Sequence, residues 1–215
     1  MTLKKVRKLK EDVYTDYKAE KFLSKFVQVS KNQLVKNINQ IKIKAPLVLK
    51  IISPQAIHKT EIKGIRIVKT NEEIEKNFNE LLSISKRKKL KLDGIMVQQF
   101  YEGEQLIIGI NKDSVFGHVI LFGLGGIFTE VLDDTSIRKC PINLKDAQEM
   151  IDELKASKIF QGFRGKKLNI EILKRTLVKI SQIPQRHKKI KELDINPFIL
   201  NDKSGRVVDA RIVFQ

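Results

Sequence analysis

Between Gly94 and Leu132 four short apolar segments follow one another with gaps too short to hold a helix: GIMVQQF (94–100), QLIIGIN (105–111), HVILFG (118–123) and FTEVL (128–132). Runs of this kind joined by tight turns predict an antiparallel meander. Helical patterns flank it. Tyr17, Phe22, Leu23 and Phe26 follow helical spacing, and a second amphipathic stretch spans Ser30 to Ile41. APLVLKII (45–52) is a short branched apolar run, predicted as a buried strand, and SPQAIHKTEIKG (53–64) is the loop leading from it to the strand IRIV. Thr70 and Glu73 have the spacing of a capping box. The helical face Ile74, Phe78, Leu81 and Leu82 follows and ends in the cations of KRKKLK (86–91), which suit a helix C-terminus. Further on, helices are predicted over Leu144–Lys155 and Ile170–Ile183, each after an Asn cap, and then a hairpin of IKELDINPFIL and RVVDARIVF around NDKSG. The fold class expected is α+β, with helices segregated from an antiparallel sheet.

The 215 residues suffice for one large or two small domains, and 41% are apolar, which argues against disorder. Lys plus Arg is 42 against 25 Asp plus Glu, a net charge of +17 that favours anionic partners such as nucleotides, phosphate, nucleic acid or acidic lipid. Much of the excess is explained by helix ends, and the basic first 12 residues read as a loose tail. The chain has no Trp, no zinc-finger spacing and no basic run interleaved with aromatics, which argues against nucleic acid as the ligand. The single cysteine, Cys140, excludes a disulfide framework and a Cys-based zinc site, which points to a reduced cytoplasmic setting. The longest apolar run, Val119 to Phe128, includes three glycines and is about half the length that spans a bilayer. The N-terminus MTLKKVRKLKED lacks the apolar core of a secretory signal.

Several residues carry potential chemistry. Lys50 interrupts an apolar strand and shares a face with Val48 and Ile52, so its ammonium either snorkels to solvent or meets an anion. His58 lies in a loop beside Lys59; a neutral imidazole can accept a phosphoryl group and a neighbouring cation can help hold its charge. GLGGIF (123–128) has no following Lys-Ser or Lys-Thr, so it is a tight turn and not a Walker A loop. Asp194 and Asn196 alternate along ELDINP and point the same way, while Asp209 lies on the predicted partner strand. Such oxygen donors suit a magnesium ion shared with phosphates.

Taken in order, VLKIISPQAIHKTEIKGI, FGHVILFGLGGIFTEVLDDTSIRKCPI, GFRG, ELDINPFI and VVDARI strongly resemble the ATP-grasp β subunit of ADP-forming acetyl-CoA synthetase, from about Tyr14 to the C-terminus. The resemblance implies an ATP-grasp fold in which a small lobe (13–92, with the N-terminal helices) and a larger lobe (93–215) clamp a nucleotide between antiparallel sheets. It implies Mg2+ and ATP or ADP as cofactors. It also implies a CoA-binding α subunit as partner, in an α2β2 assembly. Acyl-CoA and phosphate would give an acyl phosphate, whose phosphoryl group passes through histidine to ADP. By the same resemblance Lys50, Lys59, Gly64, Gln99 and Phe100 surround the nucleotide, His58 takes the phosphoryl group in transit, Asp194 orients a phosphohistidine, and Asn196 and Asp209 hold magnesium. The chain departs from the family pattern HKSDxGG, reading HKTEIKG, with Glu61 for aspartate and Lys63 for the first glycine; it has Gln105 for a cleft glutamate, and it lacks a GIPVP-like turn after Phe26. The small lobe is therefore expected to be trimmed, and a regulatory or scaffold subunit with weakened turnover is the alternative.

Overall fold

The computed structural model describes residues 12–56, 62–125, 134–160 and 168–215. They form two sheets. The larger has the order β1(Asp12–Thr15), β11(Ala210–Phe214), β9(Ile190–Leu200), β6(Glu104–Asp113), β7(Gly117–Leu124), β8(Thr135–Lys139), with β10(Gly205–Val207) also on β9. The smaller has the order β2(Asn32–Val35), β5(Gly94–Gln99), β3(Leu47–Ile52), β4(Ile65–Val68). All of these pairings are antiparallel, as expected for an α+β chain.

Each sheet has its own apolar core. Helix α1(Tyr17–Leu23) gives Ala19 and Leu23 to the larger one, α3(Leu144–Asp152) gives Ala147, Met150 and Ile151, and α4(Ile170–Arg186) gives Leu173, Leu177, Ile180 and Ile183. These stripes recur every three or four residues, as one buried helix face requires. In the smaller core Phe78, Leu81 and Ile84 of α2(Ile74–Arg87) pack on Leu47, Leu49 and Ile51 of β3 and on Ile95 and Val97 of β5. The Asn caps form as the sequence suggests. Asn143 accepts from the Lys145 and Asp146 amides (2.7 and 3.1 Å), and Asn169 accepts from the Ile172 amide at 3.1 Å.

Several local expectations are corrected. Residues 30–41 hold strand β2 and a 3-10 turn, Ile38–Gln40, in place of a helix, because Asn32 to Val35 complete the edge of the smaller sheet against β5. The Thr70 capping box does not form: the Glu73 carboxylate accepts from the Lys69 amide instead (3.0 Å), and a 3-10 turn, Asn71–Glu73, precedes α2. Helix α4 runs past Pro184 to Arg186, since a proline so near the end forfeits few backbone bonds. The four-strand meander is broken, because β5 joins the smaller sheet while β6, β7 and β8 form a meander in the larger. FTEVL falls outside the described residues, as do the GFRG motif and the first 11 positions of the tail.

Lobe boundaries shift accordingly. Residues drawn with the small lobe, β1 and α1, pack on the larger sheet, and β5, drawn with the large lobe, is central in the smaller one. Spacing along a chain marks strands but not the sheet that each one joins.

Candidate functional site

Strand β3 turns Leu47, Leu49 and Ile51 toward α2, so Val48, Lys50 and Ile52 look the other way, toward the larger sheet. Lys50 is 5% exposed on a strand flanked on both sides, which eliminates the solvent-reaching edge lysine. A buried ammonium must be paired. Its Nζ donates to the Val208 carbonyl at 2.6 Å, across the junction of the two sheets.

Val208 leads into Asp209 at the turn between β10 and β11, and the Asn196 amide donates to the Asp209 carbonyl at 3.2 Å. Lys50, Asn196 and Asp209, drawn from three distant segments, are thus brought to one junction. Some buried apolar side chains belong to neither core: Met96 and Ile52, on the Lys50 face of the smaller sheet, and Ile107 and Ile199 on the larger. Gln98 is on the Lys50 face as well, because it pairs with Val48.

Sequence reasoning missed the most unusual member. Glu20 of α1 is fully buried, and its carboxyl accepts from Gln98 Nε2 (3.0 and 2.9 Å) and Asn32 Nδ2 (2.6 Å), both on the smaller sheet. Burial pushes this carboxyl up to about 8; the nearby Asp209 adds to the rise, and Lys50, Gln98 and Asn32 oppose it. A helix packed on one core thereby grips the other sheet beside the candidate phosphate site. In YKAEKF a glutamate between two lysines has the look of a solvated face, and no local signal reveals a glutamine 78 positions away that buries it.

The remaining predicted residues are placed as follows. Asp194 is exposed in register with Arg211 of β11 and Gly109 of β6; partial loss of its water shell raises its carboxyl above the ordinary range, Arg211 works against this and Glu192 reinforces it. Gly64 is buried at the foot of β4, its carbonyl accepting from the Ile51 amide at 2.9 Å. The Gln99 side chain is not brought to the Lys50 face: it donates to the Pro46 carbonyl at 2.8 Å on the opposite side of the strand. Gln99 pairs its backbone N–H with the Lys31 carbonyl (2.8 Å), and the Phe100 amide donates to Pro46 at 3.1 Å. His58 and Lys59 lie outside the described residues. Lys63, at the position of a family glycine, has φ of 54°, where a glycine costs less. Gly123, within β7, and Gly125 are required by close packing: a Cβ would fall 2.7 Å from the Asp134 carbonyl oxygen and 2.9 Å from that of Gln105, while the rest of GLGGIF, from Gly126 on, lies outside the described residues.

Among the described residues no cluster of three or more His, Cys, Asp or Glu is built to hold a metal alone. One carboxylate (Asp209) and one amide (Asn196) fit a magnesium ion that takes its other ligands from phosphates and water. No described helix is long and apolar enough to cross a membrane.

Comparison with known proteins agrees with this architecture. Residues 10–214 match the family described as ATP-grasp domain. The chain is 36% identical to the acetate–CoA ligase (ADP-forming) II β subunit of Pyrococcus furiosus, over 93% of this chain and 91% of that subunit. It is 40% identical to the acetate–CoA ligase (ADP-forming) of Methanocaldococcus jannaschii, covering 92% of this chain but only 30% of that protein. Only 29% of the ligase I of Archaeoglobus fulgidus is spanned as well. Among solved structures, an acetyl-coenzyme A synthetase 1 of Ca. Korarchaeum cryptofilum, in complex with coenzyme A and Mg-AMPPCP and with its phosphohistidine segment pointing towards the nucleotide binding site, superposes with a TM-score of 0.84 at 36% identity, over 94% of this chain and 93% of that one. Two antiparallel sheets meeting at a buried lysine, with that match along nearly the whole length, establish that the chain belongs to the ATP-grasp family, in the branch of the ADP-forming acetate–CoA ligase β subunits.

Proposed function

We propose that this chain is the nucleotide-handling β subunit of an ADP-forming acyl-CoA synthetase. The observation that carries the reading is the burial of Lys50 beside Asp209 and Asn196, where the two sheets meet. Lys50 would hold the phosphates, Asn196 and Asp209 would hold magnesium, and Met96, Ile107 and Ile199 would line the apolar part of the cleft. Phosphoryl transfer needs positioning, a metal and cations more than an acid or base, and this is what the cluster offers. The Korarchaeum structure, with a magnesium nucleotide and a phosphohistidine segment aimed at its nucleotide site, supports the same role here.

The acyl chemistry would belong to a separate CoA-binding chain, since the Pyrococcus relative is named as one subunit. There acyl-CoA and phosphate would yield CoA and an acyl phosphate. The phosphoryl group would move to a histidine of that partner, releasing the carboxylate, then through His58 to ADP to make ATP, while Asp194 orients the phosphohistidine. An α2β2 assembly and a cytoplasmic setting complete the proposal.

Two measurements test it. Thermal melting of the isolated chain with Mg-ADP at about 100 times its dissociation constant should add about 2.7 kcal/mol of stability, and an unshifted melt would remove the nucleotide role. With the CoA-binding partner added, His58→Ala should abolish acyl-CoA-dependent ATP formation and keep that shift. Wild-type turnover would instead mean direct transfer from the partner's histidine to ADP.

A further inference from the structure

Away from the Lys50 junction, the C-terminal end of α4 carries two adjoining concavities of about 330 and 420 Å³ that share Gln185 and Lys188. Their lining includes Lys112, Arg186, Lys188 and Lys189, all exposed, and no Asp or Glu among the described residues. Lys112 is steadied by a bond to Gln215 Oε1 (3.0 Å), and His118 by donation from its Nε2 to the Ile190 carbonyl (2.7 Å). One wall is aromatic. The His187 ring stands edge-on to Phe22 and Phe26, at 5.0 and 5.6 Å, while Phe214 is edge-on to Phe22 and Tyr14. The sequence interleaves no aromatics with its basic runs; the fold does it, by gathering α1, the end of α4 and β11.

We propose that this groove docks an acidic polypeptide segment of the partner chain, a step that rests on the reading of this chain as one subunit of two. Cations without carboxylates set the charge of the occupant, and the aromatic wall offers apolar contact to a side chain within it. Nucleic acid fits less well. Base stacking needs open ring faces, and here the rings are half-buried and turned edge-to-face on one another. The lining shares no residue with the Lys50 junction, so its charges can be reversed without altering Lys50, Asn196 or Asp209.

The test uses the full chain and a fluorescent peptide of glutamates flanking one leucine, followed by anisotropy at rising salt. Wild type should bind, with affinity falling as salt rises. Arg186→Glu with Lys188→Glu should weaken binding by about tenfold or more. A control reversal of Lys86, Arg87 and Lys88 at the exposed end of α2 should change it less than about twofold. Both variants should keep the wild-type circular dichroism and the Mg-ADP melting shift, and this shift reports on the nucleotide reading by itself. The proposal is overturned if the peptide does not bind, if the two reversals weaken it equally, or if a labelled oligouridylate binds more tightly and is lost on the α4 reversal.

Discussion

The Lys50 ammonium donates to the main-chain carbonyl of Val208 at 2.6 Å, which fixes a cation of the smaller sheet beside Asp209 of the larger. A hydrogen bond from a charged group contributes about 1.5–3 kcal/mol, and the cost of burying the charge offsets much of it. Lys50→Met, which keeps most of the stem, should therefore change the stability of the free protein by less than about 2 kcal/mol. The Mg-ADP melting shift should disappear. Retention of that shift would show that Lys50 does not touch the nucleotide.

Glu20 predicts a pH dependence of unusual sign. Its folded carboxyl holds a proton up to about 8, whereas the unfolded chain releases it near the ordinary 4.5. Between these values the unfolded state binds fewer protons, so this group's contribution to stability is fully present below 4.5 and declines as pH rises toward 8. The slope is at most about 1.4 kcal/mol per pH unit. Denaturant midpoints of wild type and Glu20→Gln, compared from pH 5 to 9, should diverge in favour of the variant at the alkaline end. Parallel curves would mean that Glu20 ionises normally.

Asp194 separates binding from chemistry. It is exposed and lies off the Lys50–Asp209 contact, so Asp194→Asn should leave the Mg-ADP shift within about 0.5 kcal/mol of wild type. Turnover with the CoA-binding partner should fall by at least about tenfold if the carboxylate orients a phosphohistidine. Unchanged turnover would remove that role.

Lys63 has the left-handed backbone that the family glycine would adopt without cost. Left-handed conformation costs an L-residue about 1–2 kcal/mol, partly returned through the greater freedom of an unfolded glycine. Lys63→Gly should thus raise stability by up to about 1 kcal/mol and Lys63→Ala should not. Equal midpoints for the two variants would place the strain elsewhere.

Burial pushes the Cys140 thiol up to about 12. Only about one part in ten thousand is thiolate at pH 8, so native protein should resist iodoacetamide and the denatured chain should react fully. Rapid native alkylation would show that the half-buried Cys140 thiol is not held in its neutral form.

What was legible in the sequence is what local chemistry dictates. Asn143 and Asn169 could be read as caps because a cap needs only the amides that follow it. Lys50 stood out because an apolar strand has no local use for an ammonium, and Asp194 and Asn196 because alternation sets their shared direction. Glu20 was hidden: its partners Asn32 and Gln98 are on another sheet, and only the packing of α1 brings them near. The stretch from 30 to 41 was misread because its apolar spacing suits a helix, whereas pairing of Asn32–Val35 with β5 decides it as a strand. The aromatic wall at the end of α4 was equally out of reach, being assembled from three separate segments.

The chain leaves the larger sheet after α1 and returns to it at β6, and the two crossing points touch: the Gln99 amide bonds to the Lys31 carbonyl at 2.8 Å and Ser30 Oγ to the Gln99 carbonyl at 2.9 Å. Just upstream, the Ser30 amide is tied to the Val207 carbonyl at 2.8 Å. In topological terms the whole four-stranded sheet with α2 is an insertion whose ends already meet. Splicing those ends with a short turn would leave every strand pairing of the larger sheet uninterrupted, and would strip Glu20 of Asn32 and Gln98, its two partners across the divide.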